Sequence, residues 1–363
     1  MKYIIIENKN YELLKPFSLN HPIFELRLGA FTNLERFMLE NNFKIDSFDK
    51  QDKIILAVRN EIKDFICNKY PNFKVISINE INNYPGYTKI DSSDFNNSIS
   101  NNINYLWDVF KYIGEQIKFD FSHFKNYNNT IDSQSAIKVN GKKIFTGENV
   151  VIKPGVVLDA SNGPIIIDEN VILGSNSVLE GPLYIGRNSE ISPMSLIRGS
   201  TSIGPFCKIG GEVVCSVFQG YSNKVHHGFI GHSYIGEWVN IGAGTNNSNL
   251  KNNYGKVKIF FDTKIVNTEL QFMGALIGDY TRISIGMNLN TGIYIPIGAN
   301  IFDYTFKQKK INPFSWGKDQ IVSFDKFLET IESMKKRRNK IVTKSEKKYL
   351  KYLYQNLISN KSF

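Results

Sequence analysis

Ile167-Asp-Glu-Asn-Val-Ile-Leu173-Gly-Ser-Asn-Ser-Val-Leu179-Glu-Gly-Pro-Leu-Tyr-Ile185-Gly-Arg-Asn-Ser-Glu-Ile191-Ser-Pro-Met-Ser-Leu-Ile197-Arg-Gly-Ser-Thr-Ser-Ile203-Gly-Pro-Phe-Cys-Lys-Ile209 carries an Ile or Leu at every sixth position. If Ile and Leu filled roughly a quarter of all positions, eight in a row would arise by chance on the order of 10⁻⁵ per starting frame. Six is even, so in extended chain the anchor always faces one side, whereas a helix would turn it by about 240° each time. Helix is excluded. The residue after the anchor is often small (Gly174, Gly186, Gly204, Gly210), and the fourth after it is often small or β-branched (Ser177, Ser189, Ser195, Thr201). Each hexad is therefore a short strand and a corner, one flat face of a coil. Coils stacked about 4.8 Å apart pair every strand with those above and below, and the anchors fill the axis.

A second run, Ile277, Ile283, Leu289, Ile295 and Ile301, keeps the interval. Upstream, Thr146, Ile152 and Leu158 repeat by six before Ile167 follows by nine, so Asp159–Pro164 reads as a loop that breaks phase. Between Ile209 and Ile277 the interval is lost, and His226, His227 and His232, three of the chain's five histidines, fall there. The rhythm predicts a coil that is interrupted, with its chemistry in the interruption.

The 363 residues, 42% of them hydrophobic, allow two domains with sizeable cores. Residues 1–130 read as a small α/β domain, with strands at Tyr3–Ile6, Ile54–Val58 and Val75–Ile78 and helices at Leu34–Asn41 and Glu61–Tyr70. An Asn/Ser-rich stretch, Asp94–Asn104, and a polar link, Asn126–Ser133, lead to the coil domain at 140–317. A basic helical tail occupies 318–363, where twelve Lys/Arg against five Asp/Glu supply +7 of the chain's +10 charge. Phe324, Phe327, Leu328, Ile331 and Met334 have helical spacing, so Lys335–Arg338 extend an amphipathic helix with a solvated face. No nucleic-acid motif accompanies that charge. Three scattered cysteines, no cleavable leader and no apolar run near ~20 residues point to a reducing cytoplasm.

Asn240-Ile-Gly-Ala-Gly-Thr245, with a histidine fourteen residues ahead and another Asn at 249, resembles the acetyltransferase half of the bifunctional enzyme that makes UDP-N-acetylglucosamine. The wider pattern is similar to a variant bacterial branch, the sugar nucleotidyltransferases of GlmU type. Its segments resemble Gly-Tyr-Ser-Asn-Lys (220–224), Gly-Glu-Trp (236–238), Thr-Asn-Asn-Ser-Asn-Leu-Lys-Asn-Asn-Tyr (245–254), Asn-Thr-Gly (290–292) and Pro-Phe-Ser-Trp-Gly (313–317). Pro16–Gly29 and Trp-Asp-Val-Phe (107–110) echo its N-terminal half. The resemblance implies a mainly β fold: a left-handed parallel β-helix of hexapeptide repeats behind a small N-terminal α/β domain.

It also implies roles. His226 matches the general base of acetyl transfer, and a neutral imidazole with a pKa of ~6.5 can take an amine's proton near neutral pH. The turn at Gly242 and Ala243 would hold the oxyanion through backbone N–H groups. Asn240 and Asn249 would orient the sugar or its amine, and Arg198, with Lys251 and Lys256 as looser candidates, would meet a phosphate. Ser284 lies near the position that contacts acetyl-CoA. The implied assembly is a homotrimer with the site between subunits. No metal is expected there, since the adjacent His226 and His227 would point apart in extended chain. Three departures bear on the acceptor: Phe229 stands where a tyrosine is usual, Val214 falls where a lysine is usual, and Ser284 is off by a little.

A nucleotidyltransferase needs backbone N–H groups around a triphosphate and a basic residue at the α-phosphate. Gly-x-Gly-x-Arg is absent after the first strand, Glu7-Asn-Lys-Asn-Tyr11 replacing it, and Arg27 alone keeps its place as a nucleotide-binding candidate. About 125 residues are also few for such a domain, which needs nearer ~200. The leading expectation is an acyl-CoA-dependent N-acyltransferase on an amino-sugar phosphate or nucleotide-sugar precursor. A sugar-1-phosphate nucleotidyltransferase, which would need Mg²⁺, and a trimeric sugar-nucleotide-binding scaffold stand behind it.

Overall fold

The computed structural model of the chain describes residues 1–7, 9–43, 52–91, 103–124, 136–261, 264–303 and 311–359. The link at 126–133, and the Asn/Ser-rich stretch as far as 102, lie outside them. The described residues form two compact units, one within 1–26, 31–106 and 322–359, the other within 27–30 and 107–321.

In the first unit, four short strands form a parallel sheet in the order Lys74–Ser77, Ile54–Val58, Tyr3–Ile6, Thr88–Asp91. Ile54–Val58 is buried throughout, as a central parallel strand covered on both faces must be. The helix Asn33–Glu40 starts at a capping box, with Thr32 Oγ1 accepting from the Glu35 N–H at 3.2 Å and the Glu35 carboxylate accepting from the Thr32 N–H at 2.7 Å. The basic tail forms two helices, Phe324–Lys336 and Lys344–Ser359, and belongs to this unit. Tyr349 explains why: its ring stacks on Phe65 at 5.7 Å and its hydroxyl donates to the Leu19 carbonyl at 2.6 Å. Between the two helices the Lys335 ammonium pairs with the buried Glu346, so this part of the tail's charge is used inside the unit.

The second unit is a three-faced β-helix. Its first face has six parallel strands from Ala136–Val139 to Phe229–Gly231, its second has eight from Ile144–Thr146 to Ile293–Ile295, and its third has ten from Val151–Ile152 to Gln320–Ile321. All pairs are parallel except the last, Ser315–Trp316 with Gln320–Ile321. Leu179 sits over Ile197, Ile185 over Ile203 and Ile191 over Ile209, so one turn is three hexads. These anchors are fully buried. Thr146, Ile152 and Leu158 pair with Ile167, Leu173 and Leu179, and the extra residues at 159–164 lie at a corner.

The expected interruption proves to be a phase slip. Ile197 pairs with Val213, Ile203 with Phe218 and Ile209 with Lys224, after which Val213 pairs with Ile230 and Phe218 with Ile235. The coil continues through shorter corners. What leaves the coil is an excursion between Asn246–Asn247 and Ala275–Ile277, which carries the antiparallel hairpin Lys258–Phe261 and Lys264–Asn267. At the corner from the second face to the third, Phe206, Tyr221 and Trp238 stack at 4.9 and 4.5 Å, so Tyr221 and Trp238 are packing residues.

Candidate functional site

Three successive corners stack along the edge where the third face turns into the first: His226–Gly228, Gly242–Gly244 and Ser284–Gly286. The Gly244 N–H donates to the His227 carbonyl at 3.0 Å, and the Gly286 N–H to the Ala243 carbonyl at 2.7 Å. Gly228 and Gly244 have φ of +121° and +72°, and a Cβ on Gly228 would lie 2.2 Å from the Thr245 carbonyl oxygen. Only glycine permits that approach. The imidazoles of His226 and His227 are exposed. His227 Nε2 comes within 3.4 Å of where a Gly244 Cβ would be, while the His226 ring has no hydrogen bond among the described residues.

The backbone amides of this edge are mostly committed. Gly242 N–H donates to the Ile283 carbonyl at 2.8 Å and Gly244 N–H to His227, which leaves the Ala243 N–H without an acceptor among the described residues. The exposed Ser284 lies on the next corner, its carbonyl accepting from Thr245 Oγ1 at 2.9 Å.

Asn240, exposed, opens the third-face strand Asn240–Ile241 that enters this corner, between Asn223 and Arg282 in the ladder. Arg282 was not singled out from the sequence, where it is one unmarked residue ahead of an anchor. Its guanidinium is half-buried without a hydrogen bond or ion pair among the described residues, and burial pulls its pKa down.

Across the first face, at its edge with the second, lie Arg198, His232 and Asn249. Asn249 Nδ2 donates to His232 Nδ1 at 3.0 Å, and the imidazole stacks on Phe272 at 5.2 Å between centroids. Burial, with the Arg198 charge beside it, brings His232 down to about 4, so it is neutral at pH 7. Arg198 meets Glu212 at 3.4 Å and Glu180 at 3.7 Å. Gly231 makes room for the cluster, since a Cβ there would lie 2.5 Å from the Phe229 ring and 2.7 Å from the Asn249 amide nitrogen.

The asparagine run has a structural component. No backbone ladder joins Phe229–Gly231 to Asn246–Asn247, and side-chain amides take its place. Asn246 Oδ1 accepts from the Phe229 N–H at 2.8 Å; Asn247 Oδ1 accepts from the Gly231 N–H at 2.8 Å and Asn247 Nδ2 donates to the Gly231 carbonyl at 3.0 Å.

The remaining sequence candidates sit elsewhere. Lys251 Nζ donates to the Lys256 carbonyl at 3.3 Å, and Lys256 pairs with Glu269, all on the excursion. Arg27 is buried against the second face, its N–H donating to Gln219 Oε1 at 3.3 Å, its guanidinium to the Ala30 carbonyl at 2.7 Å and its charge 5.6 Å from the Tyr184 ring. That face does not carry the stacked corners. Among the described residues no three His, Cys, Asp or Glu are grouped to hold a metal ion, and no helix is long and apolar enough to cross a membrane.

No family model matches the chain. Among curated proteins it is 28% identical over 179 residues to a bifunctional protein GlmU of Clostridium kluyveri, covering 47% of this chain and 36% of that one. It is 29% identical over 193 residues to a GlmU of Wigglesworthia glossinidia brevipalpis, covering 50% and 39%. Over about half its length the chain is GlmU-like. A bifunctional sugar-1-phosphate nucleotidylyltransferase/acetyltransferase of Sulfurisphaera tokodaii is 37% identical over 142 residues, 39% of this chain and 35% of that one. The chain thus spans little more than a third of the length of the relatives it matches.

Proposed function

We propose that the GlmU-like chain is a transferase that moves an acyl group from acyl-CoA to the amine of an amino-sugar phosphate or nucleotide sugar. The observation that carries this is the stacked edge: an exposed imidazole at His226 one coil away from the Ala243 N–H, both without a hydrogen-bond partner among the described residues. That donor set suits a thioester carbonyl approached by an amine. Acyl-CoA, when bound, supplies the activated acyl carbon. His226 takes the proton as the amine nitrogen bonds to that carbon, and returns it to the departing thiolate, so the C–S bond breaks with charge balanced. The Ala243 N–H donates to the acyl oxygen as negative charge develops there. Asn240, through its side-chain amide, and Arg282, with no counter-ion among the described residues, supply groups for the acceptor's hydroxyls and phosphate. His232, Asn249 and Arg198 form a second polar cluster across the face, with Phe229 in place of a hydroxyl. Acyl transfer in the cytoplasm by a homotrimer completes the reading.

Thiol release from acetyl-CoA, followed with a panel of amino-sugar 1-phosphates, tests it. His226→Ala lowers kcat by 10²-fold or more while the fold, checked by circular dichroism, persists; turnover unchanged in that variant removes His226 from the role.

The nucleotidyltransferase reading is weaker on the geometry of the first unit. In open α/β sheets ligands bind beyond the carboxyl ends of the strands. Here Glu7 and Arg59, which follow the strands Tyr3–Ile6 and Ile54–Val58, form a buried ion pair at that place, and Arg59 donates to the Tyr349 hydroxyl at 3.2 Å and the Ser18 carbonyl at 2.7 Å.

A further inference from the structure

We infer that Lys224 is a positioning residue for the His226 corner, an ammonium placed inside the coil to fix the backbone of the proposed base. The inference rests on the acyltransferase reading of that edge. Lys224 occupies an axial anchor position, stacked on Ile209, and is fully buried where every neighbouring turn has an aliphatic side chain. Its three N–H donors meet three carbonyls: Gly210 at 3.3 Å, His227 at 3.0 Å, and His226. A lysine ammonium has three donors and no acceptor, so the tripod is complete.

The corner is tied residue by residue. The Val225 carbonyl accepts from Ser192 Oγ at 2.8 Å, the His227 carbonyl also from the Gly244 N–H, and the Gly228 carbonyl from the Glu212 N–H at 3.1 Å. The His226 carbonyl has one partner among the described residues, Lys224. The backbone of His226 is thus held from inside while its ring is free outside, which is what a preorganised base requires. Stability alone does not account for the choice. An aliphatic residue, as in the neighbouring turns, would fill the column without the cost of desolvating an ammonium. Burial also draws Lys224 down to about 8, which is consistent with an ammonium whose counter-charge is carbonyl dipoles only.

The test compares wild type, Lys224→Met and Lys224→Gln by deuterium uptake of the 225–229 segment and by acetyl-transfer kinetics. Lys224→Met is expected to speed exchange in that segment by about tenfold or more and to lower kcat by about 10- to 100-fold, with both KM values within about threefold. Lys224→Gln, whose amide returns two donors, is expected to fall between, and carries the test if the Met variant folds poorly. Exchange at the wild-type rate in both variants overturns the tether, and altered exchange with unchanged kcat overturns the positioning role. If the wild type itself transfers no acyl group, the functional reading fails, and the exchange result still decides whether Lys224 holds the corner.

Discussion

Asn247→Ala tests how the coil is held together where its backbone ladder lapses. Asn247 is 2% exposed and pairs with Leu289 in the next turn, so a side-chain amide stands in an anchor column. Its Oδ1 is the acceptor for the Gly231 N–H; the Gly231 carbonyl keeps a second donor in Ser233 Oγ at 2.9 Å. Truncation therefore orphans one buried N–H, which costs about 1–3 kcal/mol. It also leaves a small void, adding roughly 1 kcal/mol, for about 2–4 kcal/mol in all. Asn247→Asp preserves the shape and the acceptor but turns a carboxylate oxygen toward the Gly231 and Ser248 carbonyls, and is expected to cost at least as much. Asn246→Ala, at an exposed position where the side chain accepts from the Phe229 N–H and donates to the Gly244 carbonyl, is expected to cost under about 1 kcal/mol because water can replace both bonds. Trp107, Trp238 and Trp316 all lie in the coil unit, so urea unfolding read by tryptophan fluorescence reports on it. An Asn247→Ala loss below about 0.5 kcal/mol, or one smaller than that of Asn246→Ala, would refute the reasoning.

Further outcomes follow from the ionised groups and strand ends. His232 titrates near 4 when folded and near 6.5 when unfolded, so between those values the unfolded chain holds the extra proton. Its contribution is complete above pH 6.5 and is lost as pH falls toward 4, about 3 kcal/mol at most; His232→Gln should flatten that part of the urea-midpoint profile, and an identical profile would count against the shift. Burial raises the Glu7 pKa and Arg59 opposes this, so Arg59→Ala leaves an uncompensated buried carboxylate and should destabilise the first unit by about 3–5 kcal/mol, measured by calorimetry. With those same groups across the strand ends, pyrophosphate release from UTP or dTTP with Mg²⁺ and a sugar 1-phosphate should stay at background. Turnover that falls in Arg27→Ala would reverse that conclusion.

The hexads were legible because a coil asks one thing of its axis, an aliphatic side chain at a fixed even interval, and the run to Ile209 supplies it. Where the axis turns polar the pattern vanished. Lys224 and Asn247 occupy anchor columns, but each is acceptable there only because backbone carbonyls and amides at the right distance satisfy it, and those partners come from other turns. The spacing of Ile and Leu alone therefore marks an interruption where the coil runs on. The docking of Lys344–Ser359 was hidden for a similar reason: Tyr349 looks like one more aromatic on an amphipathic helix, and its partners Arg59 and Leu19 lie some three hundred residues away. His226, Asn240 and Ala243 were found through a motif, and the structure sets them along one edge of the coil. Arg198 and Asn249 belong with His232 instead, a grouping that depends on the turn through Gly231 and was not readable from spacing.

The most direct test of the acyl-transfer account is mass spectrometry of the products formed from acetyl-CoA, UTP and a panel of amino-sugar 1-phosphates by wild type and His226→Ala. The account predicts an N-acetylated sugar phosphate from the wild type, its loss in the variant, and no nucleotide sugar from either. A nucleotide sugar without acetylation, or acetylation that survives in His226→Ala, would contradict it.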